Sequence, residues 1–350
     1  MFERIAPEQH DTLEGVPEPS ENSHLHGHRA ASNMLAAAYR SGKLPHALLF
    51  AGPKGVGKAT LAFHLANHLL RHPSHGDAST EIAAPDPASP LFRQVAMGAH
   101  PSVLHLTRPF NEKTKNFKTV VTVDEIRRVS RFLSMTSHDG SYRIVIVDPA
   151  DDMNVNAANA LLKNLEEPPA RTIFVLIAHA LGSLLPTIRS RCQIVRLGPL
   201  EPDELMAALE DAGQEPPQDA RARAALAERA AGSVREAILL TQYGGLEIAE
   251  AMDRIVVAPK LDIAAAHKLA EVAGGRGQNI PFDIFNRHAL DLLADAASRA
   301  ALEGQGPRAN RLTESWQEAL TSVTETETYN LDKKQHALGM IIRLNEALRM

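Results

Sequence analysis

The sequence predicts an α/β P-loop module, a parallel sheet with helices on both faces, followed by an all-helical region. Three observations carry this. Short apolar runs recur through the first two hundred residues and alternate with stretches of helical period, which is the pattern of βα units. One run leads directly into a glycine-rich turn, Gly52 to Gly57. Beyond Gly198-Pro199 the apolar runs stop and helical spacing takes over.

Length and composition bound the rest. A chain of 350 residues has room for two or three domains at about 150 residues each. Lys and Arg number 37 against 42 Asp and Glu, a net charge of −5, which excludes DNA coating by net charge. It leaves room for a local basic patch. The single cysteine, Cys192, excludes an internal disulfide framework and a cysteine-rich zinc site. Residues 1–23 are polar and read as a flexible N-terminal tail without an apolar signal core. No run approaches the ~20 apolar residues of a membrane span. The expectation is a soluble, cytoplasmic protein with no membrane partner.

Each element has its own signal. Ala31, Met34, Leu35 and Ala38 fall at helical spacing. Ala47 to Ala51 is short and wholly apolar, a buried strand. A helix opens near Lys58, with Leu61, Leu65, Ala66 and Leu69 on one face. Residues 72–100 read as loop, and Val103 to Leu106 as a second strand. Thr122-Val123-Asp124-Glu125 matches a helix capping box. Arg143 to Asp148 is a strand ending on a carboxylate, and a helix from about Asn156 stops before Pro168-Pro169. Ile173 to Ala178 and Ile194 to Leu197 complete the strands. Helices are expected near 202–212, 218–231, 234–243, 261–274, 282–302, 308–323 and 327–348. The segments expected are 24–199 for the P-loop module and two helical regions, 200–258 and 259–350. Val256 to Leu261 reads as linker or strand.

Gly52-Pro53-Lys54-Gly55-Val56-Gly57-Lys58 fits G-x-x-x-x-G-K between a strand and a helix. In such a loop the backbone N–H groups turn inward on phosphate oxygens. The helix N-terminus and Lys58 add positive charge. The next residue is normally Ser or Thr, a Mg²⁺ ligand. Here it is Ala59, and Thr60 lies about 100° further round the helix. Ile144 to Asp148 resembles a Walker B strand, whose aspartate holds Mg²⁺. The position after it, where a water-activating glutamate often stands, is Pro149, which has no carboxylate. Asp151 and Asp152 follow three and four residues on. Two losses thus fall on the two halves of one hydrolytic site. They predict weak or Mg²⁺-poor ATP or ADP binding and poor hydrolysis.

Arg191 has two readings. It is a surface arginine near a sheet edge, or a guanidinium fork for a phosphate. Lys113, Lys115 and Lys118 cluster in a polar loop, which is ordinarily a solvated surface. His24, His26 and His28 alternate but have no carboxylate or thiol spaced to close a metal site.

Taken together, these segments resemble the delta-prime family of bacterial DNA polymerase III clamp-loader subunits. The likeness runs through Gly27-His28, Leu44-Pro45-His46-Ala47, Gly52 to Lys58 and Tyr142 to Asp148. It continues through Asn156 to Pro169, with its Leu-Glu-Glu-Pro-Pro end, and Leu185 to Cys192, with its Ser-Arg-Cys end. The last third matches only as helices, with Gly232-Ser233-Val234-Arg235 as an anchor. The resemblance implies an AAA+ module, a small helical lid at 200–258 and a helical collar at 259–350 that packs into a pentameric ring with tau/gamma motor and delta subunits. It implies a stator, poor in ATPase, that offers Arg191 in trans to a neighbour's ATP. The sliding clamp and primed DNA would be met through the complex. It also implies that Arg235 would touch a γ-phosphate in an active site. The chain would then be part of a nucleotidyltransferase holoenzyme without polymerase chemistry of its own. The alternative is an active motor using its own Gly52–Lys58 loop. Two departures stand out. The zinc-binding cysteines of many members are absent, so no zinc is expected. Ala178-His179-Ala180 replaces a polar sensor.

Overall fold

The computed structural model describes residues 4–134, 141–258, 260–275 and 279–349. Its strands are β1 (Ala47–Ala51), β2 (Val103–Leu106), β3 (Phe110–Asn111), β4 (Asn116–Phe117), β5 (Arg143–Val147), β6 (Thr172–Ala178) and β7 (Gln193–Arg196). Five of them form one sheet in the order β2-β5-β6-β1-β7. Every pairing in it is parallel, for example Leu49 with Leu176 and Val145 with Phe174. Strands β3 and β4 make a separate antiparallel hairpin.

Successive side chains of a strand point to opposite faces, and both faces here are apolar. Leu48, Phe50, Ile144, Ile146, Val175 and Ile177 lie in one core layer with Leu61, Leu65 and Leu69. Leu49, Val145, Val147, Phe174 and Leu176 lie in the other with Ile126, Val129, Leu161 and Leu165. The helices that supply these partners are α1 (Arg29–Arg40), α2 (Lys58–Arg71), α3 (Pro90–Ala96), α4 (Val123–Ser134), α5 (Val155–Glu166) and α6 (Pro186–Arg189). Fully burying one such Leu or Phe stabilises by roughly 1.5–3 kcal/mol. That explains why the central strands contain no charge.

The remaining helices are α7 (Pro202–Asp211), α8 (Ala220–Ala230), α9 (Val234–Gln242), α10 (Gly245–Val257), α11 (Ile263–Gly274), α12 (Asn279–Leu302), α13 (Gly306–Thr328) and α14 (Lys333–Arg349). The chain divides into two compact units, Met1–Ala237 and Ile238–Met350. Helices α10 to α14 form the second, whose core includes Ile255, Leu269, Phe282, Phe285, Leu293, Ile341 and Leu344.

The sheet and the helical C-terminal half agree with the fold class expected from sequence. Other expectations are corrected. Helix α10 occupies residues read as the end of the lid and a linker, and it packs on α11, α12 and α14. Gly244-Gly245 obscured its start, yet Ile248, Met252 and Ile255 give it a buried stripe. Helix α3 interrupts the 72–100 loop, opened by Ser89, whose hydroxyl accepts the Phe92 N–H at 3.2 Å. The turn before α14 falls at 329–332, where Asn330 takes a left-handed φ of +50°.

The expected N-terminal tail is the largest correction. Met1 to Glu3 lie outside the described residues. From Arg4 the chain is a strap without helix or strand, folded by its own polar groups. Arg4 pairs with Glu18 at 2.5 Å and donates to the Leu13 and Val16 carbonyls at 2.7 and 2.8 Å. Glu21 accepts the N–H groups of Ile5 and Glu18 at 2.7 and 2.9 Å. Ala6 and Leu13 are buried. The strap is fastened to the sheet domain by Ser20, whose hydroxyl donates to the Ala96 carbonyl, and by the Asn22 carbonyl at His64.

Candidate phosphate site and its charged surroundings

The site lies at the C-terminal ends of β1, β5 and β6, where ligands of open α/β sheets bind. The loop after β1 needs its glycines for close approach. A Cβ on Gly52 would lie 1.9 Å from the Leu197 carbonyl oxygen. One on Gly55, whose φ is +79°, would lie 2.4 Å from the Ser233 hydroxyl. Gly57 takes φ +100° and opens α2. His28, ahead of α1, meets the Val56 carbonyl at 2.6 Å and steadies the turn.

Lys58 is only 3% exposed. Its ammonium donates to the Gly52 carbonyl at 2.7 Å and to the Pro53 carbonyl, so the loop closes on its own lysine. Burial lowers its pKa to about 8, against the attraction of Asp148 and Asp151. Asp148 sits just past β5, and burial raises it to about 7, with Asp11 adding to the rise. Pro149 is buried behind it.

Both neighbouring carboxylates have partners of their own. Asp152 is held by Arg108 at 2.6 Å. One oxygen of Asp151 accepts the N–H groups of His179 and Ala180, at 2.9 and 2.8 Å. This fastens the end of β6 to the segment after β5. His179 is kept neutral by burial, with its pKa at about 4.

Arg235 stands at the start of α9. Ser233 donates to the Lys54 carbonyl at 2.8 Å, and the Val234 N–H donates to the Gly55 carbonyl at 3.0 Å. The start of α9 therefore rests on the glycine loop. The strap covers the same place. Asp11 pairs with Lys54 at 3.1 Å, and its backbone carbonyl accepts from Arg235. Its carboxylate lies 3.9 Å from the same guanidinium. Burial opposes the charge on Asp11, but Lys54, His10 and Arg235 outweigh it and hold the carboxyl well below the usual range. Asp11 and His10 were not singled out from sequence. No motif marks a lone aspartate that reaches its partners through tertiary folding.

The residues present do not fit a Mg²⁺-bound triphosphate in this arrangement. Ala59 has no hydroxyl, Lys58 is turned onto its own loop, and Ser233 and Asp11 take up space and charge beside Gly55 and Lys54. The sequence grouped Gly52 to Lys58, Asp148 and Arg235, and the fold gathers them at one sheet end.

Arg191 is elsewhere, just past α6. Its guanidinium pairs with Glu166, at the end of α5, at 2.5 Å and donates to the Thr187 carbonyl at 2.9 Å. Cys192 is partly buried against the second core layer, and burial pushes its thiol up to about 11. Lys113 and Lys115 lie on the β3–β4 hairpin, where Lys115 pairs with Glu112 at 2.8 Å. His26 meets Asp211 at 2.6 Å. Among the described residues, no group of three or more His, Cys, Asp or Glu could hold a metal, and no helix is long and apolar enough to cross a membrane.

A glycine loop after β1 and a carboxylate after β5, on a parallel sheet of this order, define a P-loop α/β protein. The chain belongs to the family described as DNA polymerase III, delta subunit, which matches residues 27–201, half of its length. It is 41% identical over 148 residues to the DNA polymerase III subunit delta' of Pseudomonas aeruginosa, covering 42% of this chain and 41% of that protein. Against the subunit delta' of Escherichia coli the identity is 35% over 165 residues, 47% and 46% of the two chains. The chain is also 30% identical over 168 residues to DNA polymerase III subunit tau of Bacillus subtilis, 48% and 27% of the two chains. The matched region thus spans under half the length of these relatives. Among solved structures, a gamma subunit-related protein of Thermotoga maritima is 18% identical, with a TM-score of 0.40 over 90% of this chain and 99% of that one.

Proposed function

We propose that this chain is a delta-prime-type subunit of a clamp loader, an AAA+ stator that does not hydrolyse ATP efficiently. It assembles with tau/gamma-type motor subunits and a delta subunit in a pentameric ring. It contributes to loading the sliding clamp on primed DNA in the cytoplasm. Its own Gly52–Lys58 loop is a weak phosphate site, and Arg191 is the residue it offers to the ATP of a neighbouring motor. The lid and collar of this reading are residues 200–258 and 259–350, with α10 shared into the C-terminal bundle.

One observation carries the reading. Lys58 is buried and satisfied by its own loop, while Arg191 stands at the surface with one carboxylate partner. An exposed ion pair is worth ~0–1 kcal/mol. A γ-phosphate with more charge and three oxygens therefore outcompetes Glu166 for the guanidinium. The similarity to proteins named as delta' and tau subunits supports the choice of partners.

The test is the DNA- and clamp-stimulated ATPase rate of the reconstituted loader, with wild-type chain and with Arg191→Ala, beside the chain alone. The expected result is a silent isolated chain and a rate lower by a factor on the order of 10³ in the intact Arg191→Ala assembly. Unchanged hydrolysis in that assembly removes the arginine donation. Robust Mg²⁺-dependent hydrolysis by the isolated chain overturns the stator reading.

A further inference from the structure

We propose that the N-terminal strap is a tethered competitor for the phosphate loop. The Asp11 carboxylate holds Lys54 and Arg235 where a polyphosphate would, and a polyphosphate binds by displacing the strap. The proposal rests on the reading of Gly52–Lys58 as a phosphate cradle.

The argument begins with charge. Lys54 and Arg235 bring two cations to the mouth of the loop, and Lys58 adds a third charge buried behind them. Such a cluster attracts an anion, and the chain supplies one from a distance of 224 residues along the sequence, between Asp11 and Arg235. The carboxylate is 3.1 Å from Lys54 and 3.9 Å from Arg235. Residues on both sides hold it there. The Gln9 N–H donates to the Thr12 hydroxyl at 2.8 Å, and Thr12 in turn donates to Glu18, which Arg4 clamps.

The match is incomplete. Arg235 Nε, His10 Nδ1 and His179 Nδ1 are buried near Lys54 without a hydrogen-bond partner. Leaving a buried polar atom unpaired costs about 1–3 kcal/mol. Asp11 therefore answers the charge of the cluster but not its full set of donors. A phosphate chain, with more oxygens and more charge, would use Arg235 Nε as well as the lysines.

The two ligands cannot share the place. Asp11 occupies Lys54 and Arg235, so a phosphate that takes both requires the strap to leave. The strap is suited to leaving. It has no helix or strand, and polar contacts and short turns hold it, with Ala6 and Leu13 as its buried apolar anchors. When only a fraction of molecules have an open loop, the apparent dissociation constant rises by the inverse of that fraction. Neutralising Asp11 increases the fraction.

The experiment uses the full chain and inorganic tripolyphosphate in EDTA, since Ala59 gives Mg²⁺ no hydroxyl. Titration calorimetry compares wild type, Asp11→Asn, Lys58→Ala and the double variant. Asp11→Asn keeps the side-chain shape and is expected to bind about tenfold tighter or better, with the gain lost in the double variant. Hydrogen exchange on the wild type needs no substitution. Saturating tripolyphosphate is expected to increase exchange at the amides of residues 5–21. Equal affinity of wild type and Asp11→Asn, with Lys58→Ala weakening both, keeps the cradle and rejects the competitor. A gain that survives Lys58→Ala puts the anion elsewhere and also rejects it. Absence of binding by every variant at millimolar concentration removes the cradle reading, and the competitor with it. Unaltered strap exchange at saturation overturns the proposal whatever the variants do.

Discussion

Lys58 follows β1 and Arg191 precedes the parallel strand β7, and the surroundings of these two cations differ. Lys58 is 3% exposed, and its ammonium is used by the carbonyls of its own loop. Arg191 has a side chain 35% exposed and rests on Glu166, itself 48% exposed. A buried lysine with backbone partners is costly to redirect, because its ammonium must give up those bonds first. An exposed guanidinium moves between partners at little cost. The difference separates a cation spent on its own loop from one whose partner is exposed and replaceable.

That contrast can be broken in measurable ways. The largest effect belongs to Arg191→Ala, a fall on the order of 10³ in the stimulated ATPase of the assembled loader. Lys58→Ala in the same assembly is expected to change that rate less than about twofold, because the proposed role does not route hydrolysis through this loop. A comparable loss from both substitutions would dissolve the contrast.

Next is Gly52→Ala. The new methyl would meet the Leu197 carbonyl oxygen at 1.9 Å. Overpacking of that kind costs about 3 kcal/mol, or roughly 6–12 °C in the melting temperature of a unit this size. A thermal melt unchanged by the substitution would show that the loop is not held against β7.

Asp148→Asn sharpens the buried side of the comparison. Burial raises the Asp148 pKa from 3.8 to about 7. The folded chain therefore binds this proton more tightly than the unfolded chain. The contribution of Asp148 to stability falls as pH rises from about 4 through 7. The variant should melt several °C higher than wild type at pH 8 and equally at pH 3.5. An advantage confined to acid pH would reverse the sign and refute the account. The smallest effect is expected for Glu166→Gln, within ~1 kcal/mol in stability. It should lower the loader rate less than about threefold, since under the proposed role Glu166 gives up Arg191 when a phosphate is bound.

The sheet was legible because its strands carry a composition that only double burial explains. Leu48 to Phe50, Ile144 to Val147 and Ile173 to Ala178 are apolar on both faces, and each lies where it was expected. The phosphate loop was legible because its glycines answer local geometry. The strap was not. Arg4, Asp11, Glu18 and Glu21 look like solvated charges in a polar stretch. Their pairing depends on turns at Leu13 and Val16 and on residues more than two hundred positions away. The same limit hid the roles of Asp151 and Asp152, whose partners His179 and Arg108 come from other parts of the sheet. Helix α10 was missed for a different reason: paired glycines at its start read as a turn, and they are one, with the helix beginning directly on them.

The strap has a consequence for how the protein is made. Asp11 is synthesised 224 residues before Arg235. At about 5–20 residues per second, roughly 10–45 s separate the two on the ribosome. During that interval the sheet strands and the glycine loop emerge while the guanidinium that completes the closure does not yet exist. The nascent chain therefore passes through a stage in which Asp11 has Lys54 within reach but not yet Arg235. Whatever anions are abundant around the ribosome meet the loop before its own residue 235 does.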